Sequence, residues 1–134
     1  MKKLGGSVSV NDTDKMKLIP IARDFSELGF HLIATEGTYN HLSENGIQCQ
    51  FINKVGEGRP NVVDYIKNGD IQLVINTPLG RQSRFDEYEI GKNAIRYKIP
   101  IITTISAAKA AIRAIRILKS NNLQYRSLQD IFGK

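Results

Sequence analysis

The stretch that decides the fold has the sequence FHLIATEGTYNHLSENGIQCQFI and covers residues 30–52. It opens with Phe30–Ala34, an uninterrupted apolar-leaning run that is typical of a strand covered on both faces of a sheet. The chain then turns at Thr35 into a short helix that ends at Gly46, and Gln48–Ile52 forms a further strand. A strand, a helix and a strand in this order predict two parallel strands joined by a crossover helix.

The same alternation continues on both sides of this unit. On the N-terminal side it predicts a strand at Ser7–Val10, cap residues at 11–13, and a helix that Gly29 ends, with Ile19, Ala22, Phe25 and Leu28 on one face. On the C-terminal side it predicts, in order, the loop Asn53–Pro60, the helix Asn61–Asn68, the strand Leu73–Asn76, the polar loop Thr77–Arg84, the helix Asp86–Tyr97, the strand Ile99–Thr103 and a last helix capped by Ser106. Pro20 predicts either a kink in the first helix or a helix that starts later than its cap residues suggest.

These elements define the expected architecture. The chain is predicted to be a single α/β domain over residues 1–134. Its core is a doubly wound, mostly parallel five-stranded sheet with helices on both faces, in the three-layer arrangement of flavodoxin-like and Rossmann-like proteins.

The composition narrows the classes of function. With 134 residues, of which 41% are hydrophobic and 24% charged, the chain has the profile of a globular protein. Its apolar stretches are far shorter than the roughly 20 residues of a membrane helix, so we expect a cytoplasmic protein with no membrane partner. Cys49 is the single cysteine, which argues against a disulfide or a cysteine-rich metal site. The formal charge of +6 favours anionic partners.

The residues that follow the predicted strands are the candidates for binding such an anion, because ligands of an open parallel sheet bind beyond the carboxyl ends of its strands. Hydroxyl, amide and lysine side chains follow there, among them Lys15, Thr35, Thr38, Lys54, Asn76, Thr77 and Thr103. Small hydroxyls, helix N-termini and a cation are the groups that hold a phosphate. One lysine about 4 Å from a phosphate charge contributes about 4 kcal/mol at a surface-like dielectric. The pattern predicts a site for a phosphate ester.

Each of these residues also has a purely structural interpretation. Thr35 and Thr38 could be a helix cap and its neighbour, and Lys15 and Lys54 could be solvated surface lysines. Asn76 could bond the neighbouring backbone. The absence of a Walker loop or a GxGxxG motif counts against ATP or NAD. Nucleic-acid binding would rest on charge alone, since the chain has no Trp and no recognised motif.

Four runs of the sequence resemble one known family. They are Ala34–Thr38, Asn53–Pro60, Ile66–Gly69 and Val74–Thr77. These runs are similar to the C-terminal regulatory domain of the carbamoyl-phosphate synthetase large subunit, which belongs to the superfamily named after methylglyoxal synthase. The run Asn-Lys-Val-x-Glu-Gly-Arg-Pro is the most specific of them, and the resemblance extends from about Lys3 to Ile131.

The resemblance implies an allosteric domain that binds phosphorylated nucleotides such as UMP and IMP. It implies no catalytic residue, no metal and no cofactor in this domain, so the chain alone would not be an enzyme. The effector phosphate would contact Lys15, Thr35, Thr38 and Lys54, and the nucleoside would contact Ser9, Asn76 and Thr77. Thr103 would contribute to an ornithine site, although Ile101 stands where the family has a tyrosine, and Pro78 stands where it has a second threonine.

The resemblance also implies a larger assembly. The partners would be the remainder of the synthetase large subunit and a glutaminase small subunit. Together they would form an ATP- and glutamine-dependent ligase that makes carbamoyl phosphate for pyrimidine and arginine biosynthesis. ATP, Mg²⁺ or Mn²⁺, and K⁺ would belong to that parent enzyme.

A free-standing lyase like methylglyoxal synthase is the alternative. Its chemistry needs a carboxylate base just after the loop that follows the third strand, and Arg59 stands at that position. A guanidinium cannot abstract a proton. The nearest carboxylates are Glu57 and Asp64, and Thr77 stands where a second acid is expected. The sequence therefore favours an effector-binding domain over a lyase.

Overall fold

The computed structural model describes residues 4–77 and 84–120, which alternate between strands and helices. In chain order they are β1 (Leu4–Ser9), a 3-10 turn (Asp12–Asp14), α1 (Lys15–Glu27), β2 (Phe30–Ala34), α2 (Glu36–Glu44), β3 (Gln50–Phe51), α3 (Val62–Lys67), β4 (Leu73–Asn76), α4 (Arg84–Arg96), β5 (Ile101–Ile102) and α5 (Ile105–Ser120). The predicted order of elements is confirmed. Pro78 and most of the predicted loop Thr77–Arg84 lie outside the described residues.

The strands form one five-stranded sheet in the order β3-β2-β1-β4-β5, and every described pairing is parallel. The chain adds strands outward from β1 to β2 and β3, and then returns to the other side of β1 with β4 and β5. The doubly wound α/β prediction is therefore confirmed. The strand order reverses between β1 and β4, which is the switch point where open α/β sheets bind ligands.

Two apolar clusters cover the two faces of the sheet. The larger cluster joins α1, α2 and α5 to one face, with Leu18, Phe25, Leu42 and Ile115 among its fully buried side chains. The smaller cluster joins α3 and α4 to the other face around Ile66. Side chains alternate between the faces along a strand, so Val8 of β1 enters the larger cluster while Ser7 and Ser9 point to the opposite face.

The first strand is longer than the sequence predicts. It begins at Leu4 rather than Ser7 and includes two glycines, a residue type that weakens a strand by propensity. The first of them, Gly5, is required here by packing. A Cβ on Gly5 would collide with the backbone carbonyl of Asp70. Gly5 and Gln72 are also tied by two hydrogen bonds, Gln72 N to Gly5 O (2.9 Å) and Gly5 N to Gln72 Oε1 (2.6 Å).

Two helix starts follow from local hydrogen bonds. Asn11 caps the 3-10 turn by accepting the N–H of Asp14 at 2.8 Å, so α1 begins at Lys15 and Pro20 lies inside it. The helix thus starts later than its predicted cap residues 11–13, but Pro20 remains in its interior. The predicted cap of the last helix is wrong, because Thr104 rather than Ser106 accepts the N–H of Ala107, at 3.1 Å, and α5 begins at Ile105.

Candidate functional site

The candidate site is a cleft at the carboxyl ends of β1 and β4, on the face that α3 and α4 cover. It is a shallow cleft that is open to solvent. Its polar lining consists of Ser7, Ser9, Thr35, Asn53, Lys54, Asn76 and Glu87, and its apolar lining of Ile52, Val55, Val62, Val74 and Ile90. The cleft lies at the switch point of the sheet, where the topology places a ligand.

Four of the predicted site residues come together in this cleft: Ser9, Thr35, Lys54 and Asn76. Ser9 and Asn76 are direct neighbours in the β1–β4 register, at the last position of each strand. The hydroxyl oxygens of Ser9 and Thr35 lie 3.4 Å apart, which places both hydroxyls on the same wall. The prediction that polar groups after the strands gather at one edge of the sheet is confirmed for Thr35, Lys54 and Asn76, whereas Lys15 does not line the cleft.

Thr35 occupies the N-cap position of α2 with an extended backbone, at ψ 166°. Within the described chain its hydroxyl makes no capping bond to the first turn of the helix, and it lies instead beside Ser9. The helix begins with its N–H groups at the edge of the cleft, and such groups carry partial positive charge. The end of α2 is therefore suited to an anion.

Lys15 adds a full positive charge at the same place. Its ammonium lies over the first turn of α2, where a Cβ built on Gly37 would come within 3.2 Å of Nζ. A residue larger than glycine at position 37 would require the Lys15 side chain to move by a few tenths of an ångström. Lys15 and the end of α2 together make one electropositive corner.

Lys54 supplies the second cation, from the loop that follows β3. This loop is closed at its base by Asn53, whose backbone N–H and side-chain Nδ2 both donate to the carbonyl of Pro60, at 3.3 and 3.2 Å. Within the loop, the N–H of Glu57 donates to the carbonyl of Lys54 at 3.0 Å. The Lys54 side chain is exposed at the rim of the cleft, where a ligand can reach it.

Thr38 and Thr77 are placed differently from the residues that line the cleft. Both are buried, at 2% and 1% exposure. The Thr38 hydroxyl accepts the N–H of Val10 at 3.2 Å, and the Thr77 hydroxyl accepts the N–H of Asn11 at 2.9 Å. The two threonine hydroxyls thus fix the backbone of Val10 and Asn11, the residues that follow β1. Each hydroxyl still has its own hydrogen, which it can donate to a ligand or to another acceptor.

Of the two carboxylates nearest to the position of a lyase base, Asp64 is held by structural hydrogen bonds. Asp64 accepts the Arg59 guanidinium, with Arg59 Nη2 at 2.6 Å, and it also accepts the N–H of Asn61 at 2.9 Å. Asn61 in turn accepts the N–H of Val63, which completes the capping box of α3. The hydrogen bonds from Arg59 and from the backbone of Asn61 lower the pKa of Asp64, which makes it a weak base.

Thr103 follows β5 and is exposed, and it lies outside the lining of the cleft. Ile101 is half-buried and packs against the apolar cluster beneath α3 and α4. The predicted ornithine contact is therefore separate from the cleft.

The cleft also contains residues that the sequence did not indicate. Ser7 lies two residues before Ser9 and faces the same way, so strand alternation would have found it. Asn53 precedes Lys54 on the loop. Glu87 comes from α4, and no pattern near it in the sequence links this helix to the cleft.

Two kinds of site find no support in the described ranges, 4–77 and 84–120. No group of three or more His, Cys, Asp or Glu side chains there is placed to hold a metal ion. No helix in the same ranges combines the length and the apolar character needed to cross a membrane.

Comparisons with known proteins agree with this fold. A protein-family model described as "MGS-like domain" matches residues 17–103. Among solved structures, a methylglyoxal synthase from Elizabethkingia anophelis NUHP1 superposes with a TM-score of 0.65 at 15% identity, over 83% of this chain and 78% of that one. A structure described as ForH superposes with a TM-score of 0.57 at 17% identity, over 89% of this chain and 81% of that one. At such identities these two structures support the fold.

The similar sequences are much longer proteins. The chain is 50% identical over 125 residues to the carbamoyl phosphate synthase large chain, C-terminal section, of Methanopyrus kandleri, covering 92% of this chain and 23% of that protein. It is 46% identical over 123 residues to the carbamoyl phosphate synthase large chain of a Nostoc species, covering 92% of this chain and 11% of that protein. The chain thus spans between about a tenth and a quarter of the length of these relatives.

Proposed function

This chain belongs to the MGS-like domain family, and on that premise we propose that it is the allosteric effector-binding domain of a carbamoyl-phosphate synthetase large subunit. Its cleft binds the phosphate and nucleoside of a nucleotide such as UMP or IMP. The observation that carries this proposal is a pair of lysines at this edge of the sheet: the Lys15 ammonium lies over the first turn of α2, next to the cleft residue Thr35, and Lys54 lines the cleft itself.

The phosphate end of the ligand lies at the electropositive corner formed by Lys15 and the end of α2. The N-terminus of α2 and two ammonium groups supply positive charge, and Thr35 supplies a hydroxyl that is not used to cap the helix. Hydrogen bonds to a charged group contribute about 1.5–3 kcal/mol each. Thr38, directly behind this corner, contributes its remaining hydroxyl hydrogen.

The nucleoside lies along the ends of β1 and β4. Ser9 and Asn76 offer a hydroxyl and an amide from adjacent strand ends, which can both donate and accept hydrogen bonds. Val55 and Ile90 provide an apolar wall for a base or the carbon face of a ribose. Thr77 contributes through the loop after β1, which it fixes by accepting the N–H of Asn11.

The lyase alternative is less well supported by the same geometry. An enzyme of that type needs a carboxylate that can accept a proton from its substrate. Asp64 is held by Arg59 and by the capping box, and its pKa is lowered. We therefore propose that the chain alone has no catalytic activity and that catalysis belongs to the parent ligase. That parent consists of the rest of the large subunit and a glutaminase small subunit, and Thr103 faces its ornithine site.

Calorimetric titration with UMP and IMP tests the proposal. We expect Lys54→Ala to weaken binding at least tenfold, a change of about 1.4 kcal/mol or more. Lys17→Ala is the matched control, because Lys17 is an exposed lysine on α1 that does not line the cleft. It should leave the affinity within twofold of the wild type. No binding of either nucleotide by the wild-type chain, or an equal loss in both variants, would contradict the assignment.

A further inference from the structure

Helices α1 and α5 lie side by side, and an open groove runs between them. Asp24 on α1 pairs with Arg116 on α5 at 3.0 Å, and one turn later the Lys119 ammonium donates to the carbonyl of Leu28. Both contacts advance in the same direction along each helix, so the two helices run in the same direction and the groove follows them. This α1–α5 groove lies on the face of the sheet opposite to the cleft.

The floor of the α1–α5 groove is apolar. Pro20 and Ile21 from α1 and Ile112 from α5 line it, and the side chains of Ile21 and Ile112 are buried. Met16 lies one turn before Pro20, on the same side of α1, and is 73% exposed. An exposed methionine beside an apolar floor is a surface that adapts well to the apolar side chains of a partner.

The rim of the groove that belongs to α5 is strongly basic. Helix α5 carries four basic residues and no acidic one along its whole length. Three of them, Lys109, Arg113 and Arg116, line the groove, and the acidic residue that lines it with them is Asp24. Since one acidic group faces three basic groups, the groove has an excess of two positive charges, which favours an acidic partner.

Two of the four basic residues hold α5 in place, and two do not. Arg116 and Lys119 tie α5 to α1 by the two contacts described above. Lys109 and Arg113 are exposed, and neither has an ion-pair or hydrogen-bond partner among residues 4–77 and 84–120. Both lie before the last turn of α5, so the favourable field of a helix C-terminus does not account for them either. These two cations are available to a partner.

We propose that the α1–α5 groove is a docking site for an acidic amphipathic helix of a protein partner. Lys109, Arg113 and Arg116 are spaced four and three residues apart, so they form a row about 10 Å long at a helical rise of ~1.5 Å per residue. Acidic residues on a partner helix repeat the same spacing, whereas an extended peptide places same-side residues at equal intervals of about 6.7 Å. The apolar stripe of the partner helix covers the floor of the groove and Met16. The proposal does not depend on the ligand of the cleft.

The lining of the groove favours this occupant over other anionic or helical ones. No aromatic side chain lines the groove, so it offers no surface on which a nucleic-acid base could stack. Contacts to phosphates alone would leave the apolar floor and Met16 uncovered. A second copy of this chain is disfavoured because each copy carries a formal charge of +6, so two copies repel one another.

Fluorescence anisotropy with the full 134-residue chain and a labelled synthetic peptide measures the docking. The probe is a peptide of three heptads with Leu at the a and d positions and Glu at the flanking e and g positions. We expect a Kd of about 10–100 µM at low salt, because the contact is smaller than a standard stable interface, and severalfold weaker binding at about 0.5 M NaCl. A peptide of the same composition in scrambled order should bind at least tenfold more weakly. Equal binding of the two peptides, or binding of neither, overturns the proposal.

Charge reversals locate the probe on the protein. Lys109→Glu with Arg113→Glu should abolish binding of the acidic peptide. Lys92→Glu with Arg96→Glu, on α4, is the matched control, because it reverses two exposed charges at the same helical spacing and changes the net charge equally. The control should bind within about threefold of the wild type, since its charges lie on a different helix. Circular dichroism establishes that each variant is folded. Equal loss in both double variants, or in neither, overturns the proposal.

A charge exchange and a nucleic-acid competitor complete the test. A version of the peptide with Lys in place of every Glu should bind the Lys109→Glu/Arg113→Glu variant and not the wild type, because the ion pairs are then restored with their signs exchanged. The proposal fails if this exchanged pair does not associate. It also fails if a single-stranded oligonucleotide binds the wild type more tightly than the acidic peptide does at about 150 mM salt, because the groove would then be a nucleic-acid surface.

Discussion

Replacement of Gly5 by alanine should destabilise the protein strongly, because the new methyl group would meet a backbone atom. The obstacle is the carbonyl of Asp70, which cannot move without displacing the segment that leads into β4. Overpacking of this kind costs about 1–3 kcal/mol. Displacement also strains the two hydrogen bonds between Gly5 and Gln72, which contribute about 0.5–1.5 kcal/mol each. Against this, alanine stabilises by about 0.4–1 kcal/mol through the unfolded chain. We expect a net loss of about 2–4 kcal/mol.

Urea unfolding followed by circular dichroism measures this loss as a lower midpoint with an unchanged slope. The neighbouring Gly6→Ala variant is the control, since its Cβ would lie at 3.6 Å from side-chain atoms of Leu32 and Phe30, an ordinary contact. It should stay within about 1 kcal/mol of the wild type. The reasoning fails if Gly5→Ala is as stable as Gly6→Ala, because the close approach of Asp70 would then impose no constraint on this strand.

Two further predictions concern the cleft and its loop. Gly37→Ala should raise the thermal midpoint slightly, because alanine favours a helix over glycine by about 0.5–1 kcal/mol. It should nevertheless weaken nucleotide binding severalfold, because the new methyl group displaces the Lys15 ammonium. Unchanged affinity by calorimetry would show that the position of this ammonium does not matter for binding. The pKa of Asp64 is lowered in the folded state by Arg59 and by the Asn61 N–H, so its stabilising effect is present above the unfolded pKa of about 3.9 and is lost as the pH falls. Asp64→Asn should therefore lower stability at pH 7 more than at pH 3 in urea unfolding, and an equal loss at both would argue against this linkage.

Much of the fold was predictable because the signals are local. Apolar runs and cap residues mark β2, α3 and β4 almost to the residue, and α3 begins at the Asn61 cap as expected. The start of β1 was not predictable, because Gly5 is there for a contact with Asp70, which is 65 positions away in the chain. The cap of α5 was misplaced for a different reason. Thr104 and Ser106 are both good capping residues, and only the backbone direction after β5 decides between them.

Some residues of the candidate site could likewise be predicted from local sequence signals, and others could not. The ends of β2 and β4 are predictable, so the sequence places Thr35 and Asn76 at one edge of the sheet, whereas Ser9 was indicated only by the family resemblance because the predicted first strand extends to Val10. The contribution of Glu87 required the packing of α4, because that helix reaches the cleft only through the three-dimensional fold. Whether a threonine hydroxyl faces a ligand or a backbone N–H also depends on angles that the sequence does not encode.

The two buried threonines have a mechanical consequence. Two hydrogen bonds fix the residues that follow β1. The N–H of Val10 donates to Thr38 on α2, and the N–H of Asn11 donates to Thr77, which follows β4. Asn11 in turn starts the 3-10 turn that leads into α1. We therefore expect a ligand that shifts the first turn of α2 relative to β4 to displace both Val10 and Asn11. Because the 3-10 turn follows Asn11, the start of α1 should move with them. In this way, binding in the cleft that α3 and α4 cover would change the position of α1, which lies on the opposite face of the sheet.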